Sequence, residues 1–345
     1  MKRLVKAMLS GLMAASVIVT PLVQVAQAED AASIVMVTDQ GGVDDKSFNQ
    51  SAWEGIQAYG EEHGLEKGAG GYNYLQSNND SEFITNFTQA VNADFDLIYG
   101  IGFKLIDAMT EMSAQYPDQQ FVIVDGFVDA PNVAALNFKD NEAAFLAGVA
   151  AASATKTNKL GFVGGVEGFI IDRFEAGFVE GAKAVNPDIE ITVEYVGSFA
   201  DPAKGKQIAA TMYANDVDVI YHAAGDSGNG VFSEAKDIVE NDPERDIWVV
   251  GVDRDQEEEG IVTVDGEERH LTLTSSLKEV GNAVQQFAND TNKDGFQAGE
   301  KVFGLKEEGV GLTKGNLSDD VWAKVEEYRG KIIDGELEVP EKPER

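Results

Sequence analysis

The residue types that carry out covalent chemistry are scarce in this chain. It has no cysteine and three histidines, His63, His222 and His270. No pair of histidines has the spacing of metal ligands on one element. No G-x-G-x-x-G opens a helix, and there is no Walker loop. Asp290-Thr-Asn-Lys-Asp-Gly295 begins like an EF-hand loop, which needs Glu at its twelfth position. Lys301 stands there, and Glu300 comes one residue early. A nucleoside hydrolase would want an aspartate cluster around calcium, and Asp44-Asp45 alone is thin material for one. What recurs instead is aspartate near glycine and phenylalanine: Asp39 before Gly41-Gly42, Phe48-Asn49, Asp125-Gly126, Gly197-Ser-Phe199, Gly225-Asp226 and Gly251-Val-Asp253. Carboxylates accept hydrogen bonds from hydroxyls, glycines let backbone amides approach a ligand, and aromatic faces stack on flat rings or sugar C–H faces. This is the chemistry of non-covalent capture. It calls for no cofactor and no metal, and it argues against an enzyme.

The elements that carry these residues follow a strand–helix rhythm. Strands are expected at 34–37, 97–99 and 121–124, with helices at 49–62, 83–91 and 105–115. After a small-residue helix at 142–154 the rhythm restarts. Strands at 160–163, 191–196, 217–221 and 247–250 alternate with helices at 172–185, 202–214 and 230–240. Alternation of this kind gives a parallel sheet with helices on both faces. The chain therefore reads as α/β, two doubly wound parallel-sheet lobes forming a clamshell. The boundaries expected are 29–138 plus about 271–302 for the N-terminal lobe, and 139–270 plus about 303–345 for the C-terminal lobe and a charged, peripheral tail. In open α/β sheets a ligand lies beyond the carboxyl ends of the strands. The aspartates, glycines and phenylalanines above all fall there.

Composition bounds the setting. Met1 is followed by Lys2, Arg3 and Lys6, then by an apolar run over 7–19, Pro21, and Ala26-Gln27-Ala28. This is the three-part pattern of a secretory signal cleaved near Ala28. The run is shorter than the roughly 20 residues a membrane span takes. The net charge is -33, from 60 acidic against 27 basic residues. Nucleic acid is excluded as a partner, because a phosphate backbone demands a basic surface. An acidic surface keeps a protein soluble and monomeric. With no cysteine after the signal, lipid attachment has no site, and a periplasmic location is expected.

The strand-end blocks resemble one known family. Val37-Thr-Asp-Gln-Gly-Gly-Val-Asp-Asp-Lys-Ser-Phe-Asn49 looks like the opening signature of the basic membrane protein family, the solute-binding proteins of ABC importers. Phe121-Val-Ile-Val-Asp-Gly126, Asp172-Arg-Phe-Glu-Ala-Gly-Phe178 and Gly197-Ser-Phe-Ala-Asp-Pro-Ala-Lys-Gly-Lys206 continue it. Ala224-Gly-Asp-Ser-Gly-Asn-Gly-Val231, Val250-Gly-Val-Asp-Arg-Asp-Gln256 and Thr274-Ser-Ser-Leu-Lys278 complete it. The resemblance implies the type I periplasmic-binding fold, a purine nucleoside as ligand and ABC permease subunits as partners. It also implies roles. Asp39 and Asn49 would hydrogen-bond the ligand, Phe48 would stack on the base, and Asp125 would accept from ribose or base. Phe174 or Phe199 would supply the opposing ring and Gly225 backbone contacts. Asp253 would grip ribose hydroxyls, and Lys278 would donate near the hinge. Structural roles stay open beside these: Asp39 as a helix cap, Phe48 and one of Phe174 and Phe178 as core, Asp253 as a solvated loop residue, Lys278 as a surface lysine. A sugar or other small polar ligand, or a ligand-sensing receptor subunit, would use the same fold and cleft. Where relatives carry a lipid-attached cysteine after the signal, this chain has Ala28-Glu29. The acid at Asp226, where relatives often have small residues, bears on base or sugar preference.

Overall fold

A computed structural model describes residues 31–344. The export signal expected at 1–28 lies outside the described residues. The chain opens with β1 (Ile34–Val37), α1 (Phe48–His63), β2 (Tyr72–Leu75), α2 (Phe83–Asn92), β3 (Leu97–Ile101), α3 (Ile106–Gln115), β4 (Gln120–Val124) and β5 (Val133–Phe138). Next come α4 (Asp140–Ala154), β6 (Lys159–Gly164), α5 (Phe169–Val185), β7 (Glu190–Tyr195), α6 (Pro202–Ala214), β8 (Val219–Ala223), α7 (Asp226–Asn241) and β9 (Trp248–Gly251). The last third holds β10 (Ile261–Val264), β11 (Glu267–His270), β12 (Thr272–Lys278), α8 (Val280–Asp294), β13 (Gly299–Phe303), β14 (Val310–Leu312) and α9 (Asp319–Ile333).

Two six-stranded sheets result. Their orders are β13-β5-β4-β3-β1-β2 and β14-β12-β9-β8-β6-β7. All pairs in the first are parallel. The second is parallel except for its β14 edge. Strands buried on both faces must be apolar throughout, and Ile34-Val-Met-Val37 is buried at every position. Helix α1 needs only one apolar stripe, and Ala52, Trp53, Ile56 and Tyr59 supply it at helical spacing. Each sheet reverses its order between its first and third strands, β1/β3 in one lobe and β6/β8 in the other. Such switch points open a crevice at the strand ends.

The chain crosses between sheets three times, after β5, after β12 and after β13. The segment 271–275 was expected in the first lobe. Instead it belongs to β12 in the second sheet, with Thr272 and Ser275 registered against Val249 and Gly251 of β9. The preceding β10–β11 hairpin is short and returns the chain beside β9, where Val249 N–H donates to the Leu271 carbonyl at 2.8 Å. Only past Lys278 does the chain leave, as α8 packs against α1 through the close approach of Gly281 to Gly55. The calcium-like stretch at Asp290 is the last turn of α8, and Lys301 Nζ binds the Asp290 carboxylate at 3.1 Å. The tail is not loose. Tyr328 of α9 packs its ring 5.5 Å from Phe145 of α4, and Val325 is fully buried.

Helix α4 is buried along its whole face from Asp140 to Ala151. Its alanines let α5 come in backbone to backbone. A Cβ on Gly181 would sit 2.0 Å from the Phe145 carbonyl oxygen. In an exposed helix a Gly→Ala exchange gains about 1 kcal/mol. Here overpacking opposes it at about 1–3 kcal/mol, and contact with a rigid backbone puts the sum on the destabilising side. Gly181→Ala should therefore lower the urea midpoint of unfolding. A midpoint that rises would mean the two helices do not meet this closely.

Candidate functional site

All nine residues singled out from the sequence line one cavity between the lobes. From the first lobe, Asp39 follows β1, Phe48 and Asn49 open α1, and Asp125 follows β4. From the second, Phe174 comes from α5, Phe199 from the loop after β7, Gly225 from the end of β8, and Asp253 from the end of β9. Lys278 is the last residue of β12, at the crossover. The cavity thus sits where the two switch points face each other.

The turn before α1 builds the first-lobe wall. The helix needs acceptors for its leading N–H groups, and Asp45 provides them. Its carboxylate accepts from the backbone N–H of Ser47, Asn49 and Gln50 at 2.9–3.0 Å. Asp45 is the capping residue, and Asp39 is free for the cavity. Asp39 Oδ1 accepts from Gly41 N–H at 3.0 Å and from Asn49 Nδ2 at 2.8 Å. Asn49 Nδ2 also donates to Asp45 at 3.0 Å, so its amide orientation is fixed and Oδ1 is left buried without a partner.

Lys278 dominates the crossover end. Its Nζ meets Asp125 Oδ2 at 2.5 Å and Asp140 Oδ1 at 2.9 Å. Of the three donors on the ammonium, one is bonded to Asp125, while Asp140 stands at ion-pair distance. Asp125 Oδ1 is buried and unpartnered. The rings of Phe48 and Phe174 lie 5.1 and 5.6 Å from the same ammonium, one from each lobe. Phe174 is a cavity residue, while Phe178, one turn on, is fully buried against Phe162 and Tyr221. Phe199 sits nearer the mouth. It is half-buried, with its ring 6.1 Å from Phe103 of the first lobe, and Phe103 also meets Phe169 at 5.6 Å.

Backbone geometry is unusual where acids meet the cavity. Asp125 and Asp253 have φ of 60° and 65°, a left-handed region in which aspartate is among the better-tolerated residues. Gly225 has φ 55° and ψ -137°, which only glycine reaches readily, and it aims the start of α7 at the cleft. Burial pushes Asp39 up to about 6, against its bonds from Gly41 and Asn49. Burial likewise pushes Asp253 up to about 6, with Lys278 and Ser47 opposing. Ser47 Oγ donates to Asp253 Oδ2 across the cleft.

Asp45, Phe103 and Asp140 were not singled out in the sequence. Asp45 lies inside the block from Val37 to Asn49 already marked, and Phe103 comes just after the end of β3. Asp140 opens α4 two residues after β5, a strand the sequence reading did not mark, so nothing there drew attention to it. Asp226 does not line the cavity; it accepts from Asn229 Nδ2 at 3.0 Å. The histidines stay apart. His63 ends α1, His270 lies between Glu257 and Glu268, and His222 is packed under α7, where burial lowers its pKa to about 4. Among the described residues no cluster of acids, histidines or cysteines could hold a metal ion, and no helix is long and apolar enough to cross a membrane.

Comparison with known proteins agrees with this architecture. A family model described as ABC transporter substrate-binding protein PnrA-like matches residues 32–343. The chain is 55% identical over 316 residues to the CD4+ T-cell-stimulating antigen of Listeria innocua, covering 90% of this chain and 88% of that protein. It is 48% identical over 311 residues to the ABC transporter nucleoside-binding protein BmpA of Lactococcus lactis, covering 89% and 88%. A solved ABC transporter solute-binding protein from Aeropyrum pernix aligns over 91% of this chain and 94% of its own, with TM-score 0.77 and 26% identity. The family model, the Lactococcus protein and the Aeropyrum structure are described as binding proteins of ABC transporters, not enzymes, which agrees with a two-lobed type I fold. A lobed cleft lined by acids and aromatic rings, and a family match running nearly end to end, lead to one conclusion: the chain belongs to the Bmp family, the PnrA-like substrate-binding proteins of ABC transporters.

Proposed function

We propose that the protein captures a purine nucleoside in this cleft and delivers it, as a monomer, to the permease subunits of an ABC importer. The observation that carries the reading is the pairing of Phe48 and Phe174. These rings from opposite lobes flank one ammonium inside a cavity whose unpartnered side-chain atoms include acceptors. Asn49 Oδ1 and Asp125 Oδ1 lack donors, and Asp39 and Asp253 line the same space. A flat base with N–H groups suits the rings and the acceptors together. A ribose supplies hydroxyl donors for Asp253. A phosphate would add negative charge beside Asp39, Asp45, Asp125 and Asp253, and Lys278 already has partners, so the nucleoside fits better than the nucleotide. The 48%-identical Lactococcus relative is named for nucleoside binding, which supports the same choice. The reading includes export, with the leader removed near Ala28 and the mature protein held in a periplasm.

Calorimetry with guanosine, inosine and adenosine should give dissociation constants on the order of micromolar or tighter, about -8 kcal/mol. Clear binding of a free pentose with no heat from any nucleoside would sink the proposal.

The side chains should divide the ligand between them. Asp253→Asn removes a charged acceptor worth about 1.5–3 kcal/mol per bond. It should weaken nucleoside binding at least about tenfold and the free base much less. Phe48→Ala should weaken both, since stacking reads the ring. Equal losses of base and nucleoside in Asp253→Asn would remove Asp253 from the ribose role.

Asp39 and Asp253 stand near 6 because burial disfavours their charge. The ionised form is the better acceptor, so affinity is expected to fall as pH drops from 7.5 through 6 to 5. Donors from the ligand favour ionisation, so binding at pH 6 should release protons. Titrations in two buffers of different ionisation enthalpy measure that release. Affinity constant across this range, with no protons exchanged, would contradict the assignment.

A further inference from the structure

Three side chains of the second lobe converge on three consecutive residues of the first. Asn229 Nδ2 donates to the Asp45 carbonyl at 3.2 Å, and Gln256 Nε2 to the Lys46 carbonyl at 2.9 Å. Asp253 Oδ2 accepts from Ser47 Oγ. Both sides of this contact are built before they meet. On the first lobe, Asp45 ties the turn to the start of α1, and Lys46 takes a left-handed φ of 61°. On the second lobe, Gln256 Oε1 accepts from Val252 N–H at 2.9 Å and its own N–H donates to Ser275 Oγ at 3.0 Å. The Gln256 amide is thus a strut with one end in its own lobe and the other in the facing lobe. Ser47 and Gln256 are 0% and 1% exposed, so water does not compete freely for these bonds. The neighbouring Arg254–Glu54 pair also crosses the cleft, at 2.8 Å. It is solvated, and such pairs contribute little.

We propose that the Asp45–Ser47 turn is the catch of the clamshell, and that Ser47, Asn229 and Gln256 are positioning residues that set how long the cleft stays shut on a ligand. Phe48 and Asn49 follow the catch directly, so a ligand pressing on them bears on the same turn. Opening must break the catch before a ligand leaves. Loss of the catch therefore appears in the dissociation rate, while association through the open form is unchanged or faster. The inference concerns closure and does not depend on which ligand is bound.

The full chain can be tested by labelling, since it has no cysteine of its own. Asp107→Cys and Ala203→Cys place labels on exposed sites, one in each lobe. Gln256→Glu is the sharpest variant, because it keeps the acceptor for Val252 N–H and replaces the donor to Lys46 with a carboxylate oxygen that the carbonyl repels. Ser47→Ala removes the hydroxyl, and Asn229→Ala, at a half-exposed site, is the mildest. Melting followed by circular dichroism confirms that each variant folds. In protein without ligand, Gln256→Glu and Ser47→Ala should shift the interlobe distance distribution toward wider separation. With guanosine as probe, stopped-flow dissociation should quicken by about tenfold in these variants, with association not slowed. Distances like those of the parent chain in both variants overturn the proposal, as does a loss of affinity that lies in slower association. If guanosine does not bind at all, the distances alone decide, so the nucleoside reading can fail without the catch failing.

Discussion

Lys278 holds a full charge where there is almost no water. Its side chain is 2% exposed, and those of Asp125 and Asp140 are 5% and 0% exposed. Burial works against the ammonium, yet Asp125, Asp140 and Asp253 outweigh it and raise its pKa. Burial also pushes Asp140 up to about 7, with Lys278 pulling it back. A buried pair of this kind adds little net stability, but losing one partner strands a charge at about 3–5 kcal/mol. Each member is thereby fixed by the others. Asp125 ends β4 of the first sheet, Asp140 starts α4 of the second lobe, and Lys278 ends the strand that leads back. The ion cluster sets how the two lobes approach at the crossover. Because Phe48 and Phe174 pack over its ammonium, it also sets where the two rings stand.

The sequence made the alternation plain, because parallel strands are near-continuous apolar runs and their helices carry one stripe. Strand ends rich in Asp, Gly and Phe were legible for the same reason: those types have few structural motives to recur just there. Short edge strands were not legible. Tyr72–Leu75 is half-buried and Glu300 to Val302 alternates weakly, so neither shows a run. The placement of β12 was misread because its threonines and serines, Thr272, Thr274, Ser275 and Ser276, are buried by hydrogen bonds rather than by apolar character. Local pattern does not say which sheet such a strand will join.

Within the site the sequence could name residues but not divide their tasks. Asp39 and Asp45 are both acids in one turn, and only the start of α1 decides that Asp45 caps it. Phe174 and Phe178 share a helix face and both meet Tyr221, but Phe178 also packs on Phe162 in the core while Phe174 reaches the cavity. Asp140 was silent because its partner, Lys278, lies far along the chain. Charges that meet only through topology leave no local trace.

The three crossings have a kinetic side. The first sheet does not gain its β13 edge until residue 303 exists, since Glu300 pairs with Ala135. Likewise β14 joins the second sheet only after the chain has passed through the first lobe again. Pairings so distant in sequence bear the loop-closure entropy before any contact rewards them, and they slow folding. A ribosome working from the N-terminus therefore releases nearly the whole chain before either lobe can close its sheet. The connectivity that gives the molecule its hinge also leaves the last strand of each sheet to the end of synthesis.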